Sequence, residues 1–153
     1  MSWLSNRQLI NKVRKNGTEA TKKSFLGVYA IDKLPKFIPH LPMLLIVNTH
    51  SHNLGGEHWK AIFIDKNRNG EVFDSLAQPT SNILIRWLNR FTRKWRTNSK
   101  SYQHDQSSTC GAYSLYYVLS RLDLPSLDAF CRSFSPALHV NERNIRSFYR
   151  RLK

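Results

Sequence analysis

Residues 44–75 restrict the fold more than any other stretch of the chain. LLIVNT (44–49) is a continuous apolar, β-branched run of the kind buried in a sheet. HWKAIFID (58–65) mixes alternation with an apolar end, and EVFDS (71–75) follows the Asn- and Gly-bearing turn KNRNG. These runs predict three strands, the last two paired as an antiparallel hairpin. Helical patterns flank them. Ser5-Asn6-Arg7-Gln8 has the form of a capping box, and Leu9, Ile10 and Val13 supply the apolar stripe of a short helix that stops near Asn16-Gly17. Pro35, Pro39 and Pro42 predict an extended, irregular connection over 34–42. Further on, NILIRWLNRFTRKW (82–95) spaces Ile83, Trp87, Leu88 and Phe91 as one face of a basic amphipathic helix. SYQ (101–103) reads as one more short strand, and helices are expected over 110–122, 127–134 and 141–152. Strands followed by helices predict an α+β layout rather than alternating βαβ units.

With 153 residues, 41% of them hydrophobic, the chain suits a single domain over 1–153 with a substantial core. It has no run near the ~18 apolar residues of a membrane span, and MSWLSNRQL has no signal-peptide apolar run, so a soluble, intracellular protein is expected. In that setting Cys110 and Cys131 read as thiols rather than a disulfide. Charge narrows the partners: 24 Lys and Arg against 10 Asp and Glu give a formal +14. Non-specific nucleic acid fits such an excess best, because neutralised phosphates release counterions. An anionic membrane surface fits less well, and the plain alternative is a solvated basic surface.

Chemistry gathers around SYQHDQSSTCGAYSLYYVL (101–119), where a polar run meets Cys110 at the first turn of an apolar helix. Only the thiolate is a useful nucleophile, and the unpaired N–H groups and dipole at a helix start favour negative charge. A general base must accompany it, and there are six histidines: His40, His50, His52, His58, His104 and His139. His58 follows Leu54-Gly55-Gly56-Glu57 at a strand start, where its ring would emerge at the sheet edge. His50 and His52 fall in the preceding loop, and His104 lies in a run polar enough to be exposed. The histidine needs an orienting acceptor, and Asp74 in the partner strand shares its face if the register is even. A turn centred on 67–70 would set Asp74 opposite about Ile62, roughly 13 Å from His58, so a bulge or a turn nearer Lys66 is required. Oxyanion donors would be the Cys110 N–H and a side-chain amide, with Gln103 and Gln106 both open. His-x-His-x5-His lacks partner ligands, so no metal is expected.

The stretches SFLGVYAIDKLPKF, LIVNTHSHNLGGEHWKAIFID, EVFDSLA and YQHDQSSTCGAYSLYYVL together resemble the adenovirus-type cysteine proteases (adenains), relatives of the SUMO-deconjugating proteases. The resemblance covers about residues 5–122, with FLG, IVNT before GG-x-HW, and a glutamine seven residues before Cys-Gly as its most specific parts; NERNIRSFYRRL looks like that family's last helix. It implies a papain-like fold with a mainly antiparallel mixed sheet and the nucleophile at the start of a central helix. By resemblance Cys110 is the nucleophile, His58 the base, Asp74 the orienting acid and Gln103 the side-chain donor of the oxyanion hole, while Gly56, Glu57 and Trp59 border the substrate cleft.

The implied activity is glycine-directed endoproteolysis at apolar-x-Gly-Gly-like sites in virion maturation, within the host nucleus and virion, by a monomer stimulated by DNA. Arg86, Arg90, Arg93, Lys94 and Arg96 are the first candidates for DNA contact. Two features depart from adenains. Aspartate stands where they commonly carry glutamate, as in the SUMO-protease branch, and residues 75–109 contain no cysteine to tether an activating peptide by disulfide, so such a peptide would bind noncovalently. The alternatives are a protease that removes a ubiquitin-like protein at its Gly-Gly tail, and a non-enzymatic basic DNA-binding protein on the same fold.

Overall fold

The computed structural model describes residues 3–49 and 58–153. Helix α1 (Asn6–Asn16) starts at the predicted capping box, in which Ser5 Oγ accepts from Gln8 N–H and Gln8 Oε1 accepts from Ser5 N–H, and it buries Leu9 and Val13. Two elements without a readable pattern follow. Helix α2 (Glu19–Ser24) is almost wholly polar and buries only Thr21 and Ser24, and all six residues of β1 (Phe25–Ala30) are half-buried, with no alternation. After the irregular proline-bearing connection come β2 (Met43–Asn48), β3 (Trp59–Ile64) and β4 (Asn69–Phe73), close to the three predicted strands.

The hairpin register decides the site. Its pairs run from Ile64 with Gly70 to Ala61 with Phe73. Asp65 builds the turn by accepting from the Asn67 and Asn69 N–H groups, each at 2.9 Å, while Arg68 takes the left-handed conformation at φ 64°. The turn therefore lies nearer Lys66 than the one centred on 67–70. One step past Ala61 and Phe73, Asp74 falls opposite Lys60, and these pairs contain no bulge.

The basic helix is shorter than its pattern implies. Helix α3 (Asn82–Phe91) begins at Ser81 and ends at Thr92, whose Oγ1 donates back to Leu88 O at 2.7 Å. Residues 94–97 then form β5 (Lys94–Thr97) beside β4. Arg93, Lys94 and Arg96 thus leave the helix, because the chain here joins the sheet instead of continuing the turn: Arg93 N–H donates to Arg68 O at 2.8 Å. Gly70 admits this neighbour, since a Cβ there would stand 2.7 Å from Thr92 Cγ2 and 3.3 Å from Trp95 Cβ. Residues 101–103 form no strand; the Tyr102 and Gln103 N–H groups both donate to Ser75 O. The remaining helices are α4 (Cys110–Ser120), α5 (Leu127–Cys131) and α6 (Leu138–Arg151), with a 3-10 turn over Arg121–Asp123.

The strands are ordered β1-β2-β3-β4-β5. β3 is antiparallel to both neighbours, whereas the outer pairs, β1 with β2 and β4 with β5, are parallel. The α+β class and the mixed sheet hold, with two of the four strand pairs antiparallel rather than most of them, and α3 carries the crossover from β4 to β5. Alternation along the strands divides the core. Leu44, Ile46, Trp59, Ala61, Phe63 and Phe73 meet α4 and its helical neighbours, while Leu45, Val47, Ile62, Ile64 and Val72 meet Leu84, Trp87 and Leu88 of α3. Deep in the α4 layer, Glu71 accepts from Arg121 at 2.7 and 3.0 Å and from the Tyr117 hydroxyl at 2.5 Å. No described helix is long and apolar enough to cross a membrane.

Candidate active site

His58 immediately precedes β3 and Asp74 immediately follows β4, so antiparallel pairing brings both to the same end of the sheet. His58 Nε2 donates to Asp74 Oδ1 at 2.8 Å, with both residues buried. Cys110 lies close enough to the same imidazole to help raise its pKa. Because Nε2 serves Asp74, Nδ1 is the ring nitrogen left for the sulfur. The described residues thus gather thiol, imidazole and carboxylate, all buried, at the start of α4.

Burial works against a charged His58, but hydrogen bonds to Asp74 and Cys110 and the charges on both outweigh it, and the imidazole pKa is pushed up to about 9. Burial also pushes the Asp74 carboxyl up. The hydrogen bond and charge of His58, the charge of Lys60 and the Leu76 N–H overcome that push and hold its pKa below the usual carboxylate value.

Asp74 is saturated by its neighbours. Oδ1 accepts from His58 and from Leu76 N–H at 2.9 Å; Oδ2 accepts from Gln78 N–H at 2.9 Å and lies 3.2 Å from Lys60 Nζ. Its backbone is clamped by Asn98, whose Oδ1 accepts the Asp74 N–H at 2.8 Å and whose Nδ2 donates to the Asp74 carbonyl at 2.7 Å. The carboxylate has little freedom to turn.

Gln103 and Gln106 part company. Gln103 is 1% exposed, and its side chain is oriented at both ends: Oε1 accepts from Ser75 Oγ at 2.5 Å, and Nε2 donates to Ser107 O at 3.1 Å. Gln106 is exposed. The loop over 104–109 is tied to α6 by Glu142, whose Oε1 accepts from His104 N–H at 2.8 Å and Ser107 Oγ at 2.6 Å and whose Oε2 accepts from Thr109 Oγ1 at 2.8 Å. Lys60, Ser75, Asn98, Ser107 and Glu142 escaped the sequence reading. They are ordinary polar residues scattered over 83 positions, and no local spacing marks their convergence. Lys60 alone carried a signal, as a lysine inside an otherwise apolar strand.

Other candidates fall elsewhere. His40, His104 and His139 are exposed. Gly56, Glu57, His50 and His52 lie outside the described residues. Trp59 is 1% exposed, because strand alternation turns it onto the α4 face. There it stands 3.3 Å from where a Cβ on Gly111 would sit. Arg86, Arg90, Arg93, Lys94 and Arg96 are all exposed, the first two on α3 and the others beyond it, with Arg96 paired to Asp128. Cys110 and Cys131 carry thiols. Among the described residues no three His, Cys, Asp or Glu side chains converge as metal ligands.

A mixed sheet with a cysteine opening the central helix, and a histidine and aspartate joined at the sheet end, shares its fold with a viral cysteine protease. The particular likenesses are viral and bacterial. The sequence is 33% identical, over 97 residues, to the SUMO-1 cysteine protease S273R of African swine fever virus (isolate Pig/Kenya/KEN-50/1950), a match covering 56% of this chain and 36% of that protein. The chain therefore spans about a third of the length of the curated relatives it matches. The crystal structure of the ASFV pS273R protease superposes with a TM-score of 0.58 at 21% identity, covering 82% of this chain and 59% of that one. The Chlamydia abortus effector protein ChlaDUB follows at 0.51 and 14%, covering 95% and 76%. No protein-family model matches the chain.

Proposed function

We propose that the chain is an adenain-like thiol endopeptidase that cleaves precursor proteins at apolar-x-Gly-Gly-like sites during virion maturation, in the host nucleus and virion, stimulated by DNA. The observation that carries the reading is the buried cluster of groups: Asp74 Oδ1 at 2.8 Å from His58 Nε2, with Cys110 at the start of α4 acting on the same imidazole. In the reaction His58 takes the thiol proton, becoming imidazolium, as the Cys110 sulfur attacks the scissile carbonyl, and the oxyanion meets the Cys110 N–H and Gln103 Nε2. The His58 imidazolium hands its proton to the departing amine, leaving a thioester. His58 then takes a proton from water, which attacks the thioester, and collapse returns the thiol and releases the acid.

The exposure and charge of Arg86, Arg90, Arg93 and Lys94 support the DNA role. An activating peptide would dock without a disulfide. The direct test is cleavage of a Leu-x-Gly-Gly-x fluorogenic peptide by wild type and Cys110→Ser, with and without duplex DNA at low salt. Turnover abolished by the substitution and raised by DNA is expected; equal cleavage by the two proteins would sink the assignment.

A second reading, deconjugation of a ubiquitin-like protein at its Gly-Gly tail, draws support from the name of the viral relative and from aspartate as the third group. Turnover of ubiquitin-like fluorogenic substrates, with none on short peptides, would favour it.

A further inference from the structure

We propose that Lys60 is a positioning residue of this site: its buried ammonium holds Asp74 Oδ2, leaves Oδ1 to His58, and balances the carboxylate charge beneath the imidazole. The inference rests on the endopeptidase reading only for its catalytic meaning, since the geometry stands by itself. Lys60 belongs to β3, and alternation sends it to the side of Ile62 and Ile64, away from Trp59 and Ala61. It is 2% exposed, and its Nζ lies 3.2 Å from Asp74 Oδ2. A lysine in a strand otherwise made of buried apolar residues costs desolvation of its charge, which is sustained only by a close counter-charge. Asp74 supplies that charge, and no other carboxylate is paired with Lys60 among the described ion pairs.

The consequence is electrostatic. Among the described residues, Asp74 after β4 and Cys110 at the start of α4 act directly on His58, and Lys60 on β3 meets Asp74 from the other side. Asp74 and Lys60 together form a nearly neutral base under the imidazole, whereas Asp74 alone would carry a full negative charge. Two cations sharing one carboxylate repel each other, so Lys60 restrains the protonation of His58 and keeps its proton transferable. A lysine whose role was merely to fill space could become methionine without moving that titration.

Turnover is not required for the test. His58 is titrated by NMR in the Cys110→Ala protein carrying Lys60, Lys60→Met or Lys60→Arg, with the spectra reporting retention of fold. Lys60→Met is expected to raise the His58 midpoint by about one pH unit, and Lys60→Arg to leave it within a few tenths. An unchanged or lowered midpoint in folded Lys60→Met would overturn the proposal. If Lys60→Met does not fold, Lys60→Gln provides the uncharged comparison with the same expected direction. In the Cys110 background the alkaline limb of kcat/KM should move upward with the midpoint. Absence of turnover in the parent protein would count against the protease reading and leave the titration result standing.

Discussion

His58 and Asp74 titrate as one unit, and the signs of their shifts give opposite edges to a single window. A His58 pKa raised from 6.5 to about 9 contributes stability in full below about 6.5 and loses it as pH rises through about 9. The lowered Asp74 pKa contributes above the ordinary carboxylate value of 3.8 and loses its share in acid. Both describe the same pair and are counted once. Urea unfolding of wild type should therefore weaken between about pH 6.5 and 9 more than that of Asp74→Asn. Catalysis should follow the same group: kcat/KM is expected to fall on an alkaline limb near pH 9, where His58 no longer carries the proton for the leaving amine. At this scale the sequence exposed the reactive types, because a cysteine at a helix start and a histidine at a strand start have local signatures. It did not expose Asn98 or Glu142, since an amide clamp and a carboxylate tie are chemically ordinary until the chain brings them to Asp74 and to the loop before Cys110.

Helix α4 opens on Cys110 and runs into Arg121, the partner of Glu71, so both ends are sensitive. A Cβ on Gly111 would meet Leu4 Cδ1 at 3.1 Å and Trp59 Cδ1 at 3.3 Å, contacts that require those side chains to give way. Gly111→Ala is expected to cost about 1–3 kcal/mol in denaturant unfolding and to lower kcat more than it raises KM, by displacing the first turn. At the far end Glu71 and Arg121 are both buried, and truncation leaves the guanidinium without its partner. Glu71→Ala should destabilise by about 3–5 kcal/mol in the same measurement, with Tyr117 losing its acceptor as well. Elements with caps or strong apolar patterns were legible: α1 through its capping box, β2 through its apolar run, and the hairpin through its turn residues. α2 and β1 were not, because polar composition and uniform half-burial leave no period to detect. Lys94 and Trp95 read as helix because their local pattern continues that of α3, while pairing of β5 with β4 overrides the pattern.

For the molecule as a whole, a formal +14 predicts salt-sensitive attraction to polyanions. Affinity for random-sequence duplex DNA should fall steeply with salt, and Arg86→Glu with Arg90→Glu should reduce the log–log slope by about two if each contacts one phosphate. A flat salt response would leave those residues as solvated surface. The amino-acid sequence by itself determined the α+β class, the central hairpin, the charge and the residue types able to do thiol chemistry, because periodicity, turn residues and composition act over short distances along the chain. The tertiary structure alone decided the hairpin register, the burial of Trp59 against α4, the choice of Gln103 over Gln106 as the buried amide, and the meeting of Lys60 with Asp74. Those outcomes depend on which strand end lies against which helix start, and a displacement of one residue in a strand turns every side chain to the opposite face.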